Sequence, residues 1–128
     1  MQHSSSARSV ILAAVAFAVG TLTASLGAHH GWGGYSDKDF ELTGTVEKAV
    51  SMAGPHATMR VQSEGTIWDI TLAPPARTER AGLKEGIIPV GAKVTAQGHR
   101  HMNPNRFEVK TERVIWGDKV FNVYPDRD

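Results

Sequence analysis

Five histidines carry the chemistry that this sequence offers: His29, His30, His56, His99 and His101. Imidazole is the commonest protein ligand for copper, zinc and nickel. Two of the five are adjacent, in His29-His30-Gly31-Trp32, and two are one residue apart, in His99-Arg100-His101-Met102. In an extended segment His99 and His101 face the same way, because side chains alternate along a strand. His56 follows Pro55 at a turn, and Met102 offers a thioether suited to Cu(I). The chain has no cysteine, which excludes thiolate sites, disulfides and thiol catalysis. Any metal is therefore held by nitrogen, oxygen or thioether sulfur. This donor set points to copper first and zinc second. His29 and His30 form the core of the predicted site, and His56, His101 and His99 complete it. The acidic residues form no pair suited to general acid and base work. No Ser-His-Asp order, phosphate-binding loop or dinucleotide motif is present, so the sequence assigns no catalytic residue.

The His-His pair owes its interest to what precedes it. Residues 1–28 contain one charge, Arg8, then an apolar run from Val10 to Val19, then small residues including Gly20, Ala24, Ser25, Gly27 and Ala28. A charged start, a short apolar middle and a small-residue end read as a secretory signal peptide. The apolar run is too short to span a bilayer, which takes about 20 residues, so no stable membrane anchor is expected after cleavage. The predicted location is periplasmic or secreted. Cleavage after Ala28 makes His29 the terminal residue, so that its amine and ring chelate one ion as a histidine brace does. Cleavage after Gly27 leaves Ala28-His29-His30. The amine, two deprotonated amides and an imidazole then offer square-planar nitrogen ligation to Cu(II) or Ni(II).

Lysine plus arginine total 14 against 13 acidic residues, and without Arg8 the mature part balances. Such neutrality argues against a nucleic-acid partner, which needs a basic surplus or stripe.

The elements that must position the histidines read as an all-β domain. Residues 29–39 form a Gly-rich arm in which Trp32 and Tyr35 pack onto the domain; residues 40–128 form the domain itself. Phe40 to Ser51 alternates as a strand with Leu42, Gly44 and Val46 on one face, and Gly44 predicts a bend or bulge. After the Ala53-Gly54-Pro55 turn, residues 56–63 place Ala57, Met59 and Val61 inward. Glu64-Gly65 is a hairpin turn. Residues 66–73 return with Trp68, Ile70 and Leu72 inward. Pro74-Pro75 stops the sheet and starts a short helix over Ala76 to Leu83. A fourth strand follows over Ala92 to Gly98, with His99 to Met102 leading into the Asn103-Pro104-Asn105 turn. A fifth runs from Phe107 to Trp116 with a bulge near Thr111, and Lys119 to Tyr124 makes a short sixth. Three strands, a helix and two strands is the order of the OB fold, a small five-stranded Greek-key barrel. In this arrangement His56 opens strand two and His99 and His101 close strand four, so a mobile arm reaches all three if those strand ends share a rim.

These residues resemble an exported bacterial family known only as a domain of unknown function. Its members begin with His-His just after the signal peptide. The shared features are His29-His30-Gly31-Trp32, the strand Leu42-Thr43-Gly44-Thr45-Val46, and Pro55-His56. Trp68, Pro74-Pro75 with Gly82-Leu83, and the strand from Val94 to Gly98 also match. The family has Asn-Pro-His where this chain has Gly54-Pro55-His56, a departure that removes an amide but keeps the histidine. The resemblance implies an OB-like β-barrel outside the cytoplasm and no settled activity.

The leading expectation is thus a periplasmic copper-binding protein for capture, storage or delivery, with an envelope protein as a partner for delivery. The alternative is a non-metal module that binds a ligand or protein, with the histidines as polar surface. A weaker alternative is a copper oxidase using a brace at His29.

Overall fold

The structure is a computed structural model and describes residues 32–127. Six strands and one helix follow in the order β1 (Phe40–Ser51), β2 (Thr58–Ser63), β3 (Thr66–Thr71), α1 (Pro75–Arg80), β4 (Lys93–Arg100), β5 (Glu108–Trp116) and β6 (Lys119–Asn122). The sheet order is β3-β2-β1-β4-β5-β6, and β5 also pairs with β3 in parallel, Asp69 to Thr71 against Glu108 to Lys110. That last pairing closes five strands into an OB-like barrel. β6 lies outside the ring and pairs only with the end of β5, from Arg113 to Trp116.

β1 is long because it serves two neighbours. Phe40 to Thr45 pair with β4, and Thr45 to Ser51 pair with β2. Irregularities in the β1–β2 register fall between Val46 and Lys48 and between Lys48 and Ser51. Such bulges bend a strand and raise its twist, as closure requires. The bend thus lies a little beyond Gly44. Gly44 instead permits close approach of two strands, since a Cβ there would collide with the backbone carbonyl of Gln62 on β2. Gly98 plays the same part against Lys110 of β5. Opposite it, Gln97 pairs with Arg113 and Gly98 with Thr111, so Glu112 is the extra residue of a bulge close to the predicted place.

The inward face of each strand matches the alternation of its sequence. Met59, Val61, Ile70, Leu72, Val94, Val109 and Val114 are fully buried, joined by Val46, Leu83, Ile88 and Val123. Each such side chain contributes roughly 1.5–3 kcal/mol on leaving water. The helix α1 starts at Pro75 and buries Thr78, whose Oγ1 donates to the Ala73 carbonyl at 2.9 Å. Gly82 ends the helix with φ +88°, a conformation that suits glycine. Phe40, Trp68 and Phe107 form an aromatic cluster, with the Arg100 guanidinium 4.8 Å from the centre of the Trp68 ring.

Two expectations shift. The helix is shorter than Ala76 to Leu83, because Gly82 forces the turn one residue after Ala81 caps it. β4 runs from Lys93 through Arg100, two residues beyond the Gly98 expected as its end, so His99 lies within the strand. The reason is the arm. Ser36 N–H donates to the Arg100 carbonyl at 2.8 Å, Met102 N–H donates to the Gly34 carbonyl at 2.8 Å, and Tyr35 bridges His101. Residues 34–36 thereby extend the pairing along β4 ahead of the start of β1 at Phe40.

Candidate metal site

His29 and His30, the core of the predicted site, lie outside the described residues. The three barrel histidines are described, and their rings meet different neighbours. The outer face of β5 links them. Its side chains Glu108, Lys110 and Glu112 alternate with the inward Val109 and Thr111. Tyr35, Thr71 and Arg106 contact Glu108, Trp32 and Tyr124 contact Lys110, and His99 and Arg127 contact Glu112.

His56 is half-buried, and its Nδ1 has two neighbours. The Leu72 carbonyl oxygen lies at 3.0 Å and Lys110 Nζ at 3.3 Å. The carbonyl accepts only, and an ammonium donates only, so Nδ1 serves one of them at a time. When Nδ1–H donates to the nearer Leu72 carbonyl, the neutral ring carries its lone pair on Nε2. A backbone carbonyl fixing Nδ1–H is the support that metal-ligating imidazoles use. His56 Nε2 has no hydrogen-bond partner among the described residues.

Lys110 is buried. Its Nζ lies 5.5 Å from the centre of the Trp32 ring and 5.8 Å from that of Tyr124. Burial holds its pKa below the usual lysine value, against the opposing pull of the Glu108 carboxylate. Trp32 is thus seated by contacts from separate parts of the chain. The Arg127 guanidinium stacks 3.9 Å from its ring centre, and Tyr124 and His99 meet it edge-on at 5.2 and 5.6 Å.

His99 is buried and both its nitrogens are committed. Nδ1 donates to the Lys38 carbonyl at 3.0 Å, and Nε2 shares a proton with Glu112 Oε1 at 2.9 Å. Arg127 Nε approaches the same carboxylate oxygen at 3.4 Å. His99 therefore ties arm, β4, β5 and C-terminal tail together. His101 is held differently: Asn103 N–H donates to its Nδ1 at 3.0 Å, which places the hydrogen of a neutral ring on Nε2. Tyr35 packs edge-on against it at 5.2 Å, and Tyr35 OH donates a short hydrogen bond to Glu108.

Glu108 also accepts from Thr71 Oγ1 at 3.2 Å and from Arg106 at 2.7 Å. Burial alone would raise its pKa, but these donors outweigh it and hold the carboxyl below its ordinary value. The Tyr35 phenol moves the other way, pushed up to about 12 by burial and by the neighbouring Glu108 carboxylate.

The structure thus sets His56 beside Lys110, His99 beside Glu112 and Trp32, and His101 beside Tyr35. Among the described residues no three histidine or acidic side chains converge as a metal-binding group. Met102, the soft-ligand candidate, is largely exposed. The sequence reading missed Lys110, Glu108 and Glu112. The available signal was three charges at alternate positions, Glu108, Lys110 and Glu112, in a strand otherwise read for its apolar face.

Comparison with known proteins identifies a family. Residues 16–110 match the model of a family described as a family of unknown function, DUF6152. The chain belongs to this family. Membership in the DUF6152 family carries no assigned activity, and no curated protein matches the chain. One solved structure, described as apo TiaS (tRNAIle2 agmatidine synthetase), aligns with TM-score 0.45 at 14% identity, over 60% of this chain and 17% of that one. The chain spans less than a fifth of that protein's length, and a likeness this weak carries no argument about function.

Proposed function

We propose that this DUF6152 protein is an exported metal-binding protein of the periplasm, with copper as its metal and zinc as the second choice. Its role is capture, storage or delivery, and a protein of the envelope is the receiving partner. The observation that carries the reading is the state of His56. Its Nδ1 lies 3.0 Å from the Leu72 carbonyl oxygen, and in the tautomer that donates to that carbonyl the Nε2 lone pair is unclaimed among the described residues. His99 and His101 each have to surrender an existing hydrogen bond before they ligate. This ranks His56 first, His101 second and His99 third among the barrel ligands.

The arm supplies the rest. Trp32 is fixed beside Lys110, and His56 Nδ1 touches the same ammonium. We infer that the His-His pair, which ends two residues before Trp32 in the chain, reaches His56. Nitrogen-rich ligation without thiolate suits Cu(II). A metal on His56 Nε2 selects the tautomer that donates to Leu72, and Lys110 then loses Nδ1 as an acceptor.

Calorimetric titration of the mature, correctly processed protein with Cu(II) tests the proposal. One equivalent is expected to bind, and His29→Ala with His30→Ala is expected to abolish that site. Loss of His56 is expected to weaken it by about tenfold or more, which is about 1.4 kcal/mol. Copper binding by the wild type no tighter than by the His29→Ala, His30→Ala variant would sink the proposal.

A further inference from the structure

Seven arginines lie in the described residues, and most are spent. Arg60 faces Asp69, Arg106 faces Glu108 and Arg127 faces Glu112. Arg100 donates to the Pro104 carbonyl, and Arg113 is engaged as well. Arg77 and Arg80 differ. Arg77 lies over the Tyr124 ring at 5.2 Å, which orients its guanidinium but uses none of its N–H donors in a hydrogen bond. Arg80 is exposed and donates to no acceptor among the described residues.

Both line one cleft of about 260 Å³ between α1 and the segment after β6, with Ala81, Asn122, Val123 and Pro125. No carboxylate lines it. The two cations stand three residues apart on a helix, where like charges repel. Their place in the last turn suits the helix dipole, which offsets part of that repulsion but satisfies no N–H group. Two planar five-donor forks, one preoriented on an aromatic ring, form a receptor for carboxylate or phosphate oxygens.

We propose that the α1–β6 cleft binds a small oxyanion, a phosphate or a di- or tricarboxylate, through Arg77 and Arg80. Through Arg77 the cleft shares Tyr124 with the Lys110–Trp32 cluster but contains none of the histidines, and the proposal does not rest on the metal reading. The ligand shares its oxygens between the two guanidiniums and relieves their repulsion. It is a free small molecule; the tested alternative source is the acidic surface of a protein.

The experiment is an NMR titration of the isotope-labelled mature protein with inorganic phosphate and, in a second arm, with citrate. Sodium chloride at matched ionic strength is the control. Saturable shifts are expected at the Arg77 and Arg80 Nε–H signals and at Asn122 in at least one arm. A third arm with a poly-glutamate peptide identifies a protein source if it saturates where both small anions fail, and that outcome overturns the proposal. The double variant Arg77→Gln, Arg80→Gln is expected to keep the wild-type spectrum elsewhere and lose the saturable response. Shifts no larger than with chloride, or shifts retained in the double variant, overturn it also. Thermal unfolding of the same variant in chloride separates loss of binding from loss of fold.

Discussion

Gly98→Ala is predicted to be among the most damaging one-carbon additions in this barrel. The new Cβ would collide with the Lys110 carbonyl oxygen and lie 2.8 Å from Thr111 Cα and 2.9 Å from the Lys110 carbonyl carbon. All three atoms belong to the backbone of β5, so no side-chain rotation relieves them. Overpacking a core against movable side chains costs about 1–3 kcal/mol, and an immovable obstacle places this case at about 3 kcal/mol. For a domain of this size 1 kcal/mol moves the midpoint by about 4–8 °C, so the predicted fall in Tm is roughly 12–24 °C. The strands forced apart carry His99 and Lys110, which pair across this register, so the Trp32 fluorescence of the folded state changes too. Gly33→Ala is the control. A Cβ at Gly33 meets nothing within 4 Å. Its effect should stay within about 0.5 kcal/mol. Circular dichroism melts of the two variants decide the matter. A Tm for Gly98→Ala within about 3 °C of wild type, less than 1 kcal/mol by the same scaling, would refute the claim that closure of β4 on β5 needs a bare glycine.

Two pH predictions follow from the outer face of β5. The chain has two tyrosines, and burial raises the pKa of both, Tyr35 to about 12. Phenolate absorbance should therefore lag behind free tyrosine near pH 10. The stability that Tyr35 contributes is full below its unfolded value of 10 and is lost as pH rises towards about 12. A normal phenolate rise at pH 10 with the fold intact would contradict the Tyr35–Glu108 hydrogen bond. Glu108 has a lowered pKa, so its contribution is full above the unfolded value of 4.5 and is lost as pH falls through the folded one. Glu108→Gln should flatten the acid limb of a stability-against-pH curve; an unchanged acid limb would show that Glu108 contributes nothing there. Thr78→Val should cost roughly 1 kcal/mol in urea unfolding, since it removes a buried hydroxyl and leaves the Ala73 carbonyl without that donor.

Much of the barrel was legible because its signals are local. The alternation of Leu42, Val46, Met59, Val61, Ile70 and Val94 marks inward positions without reference to any partner. Pro75 and Gly82 bracket the helix, and the bulge near Thr111 shows as a phase change between Val109 and Val114. The site was less legible because its contacts span the chain. Strand alternation places Lys110 outward, but only the arm and the tail make outward buried. Trp32 and Tyr124 reach Lys110 from opposite ends of the sequence, and Arg127 reaches Trp32 and Glu112. His99 and His101 were read as a pair from their spacing. The Glu112 bulge and the Tyr35 bridge instead give each ring its own hydrogen-bond partner. The neighbour of His56, the Leu72 carbonyl, follows directly on β3, the strand that pairs with β2.

The central claim is that imidazoles of the His29-His30 arm and of His56 hold one copper ion together. Pulsed EPR of the Cu(II)-loaded mature protein, with histidine labelled by ¹⁵N, counts the coordinated imidazoles directly. At least two coordinated imidazoles are predicted in the wild type. One fewer is predicted in His56→Ala, and loss of the bound-copper signal in His29→Ala with His30→Ala. An imidazole count unchanged by His56→Ala, or a copper signal that survives loss of both arm histidines, would contradict the claim.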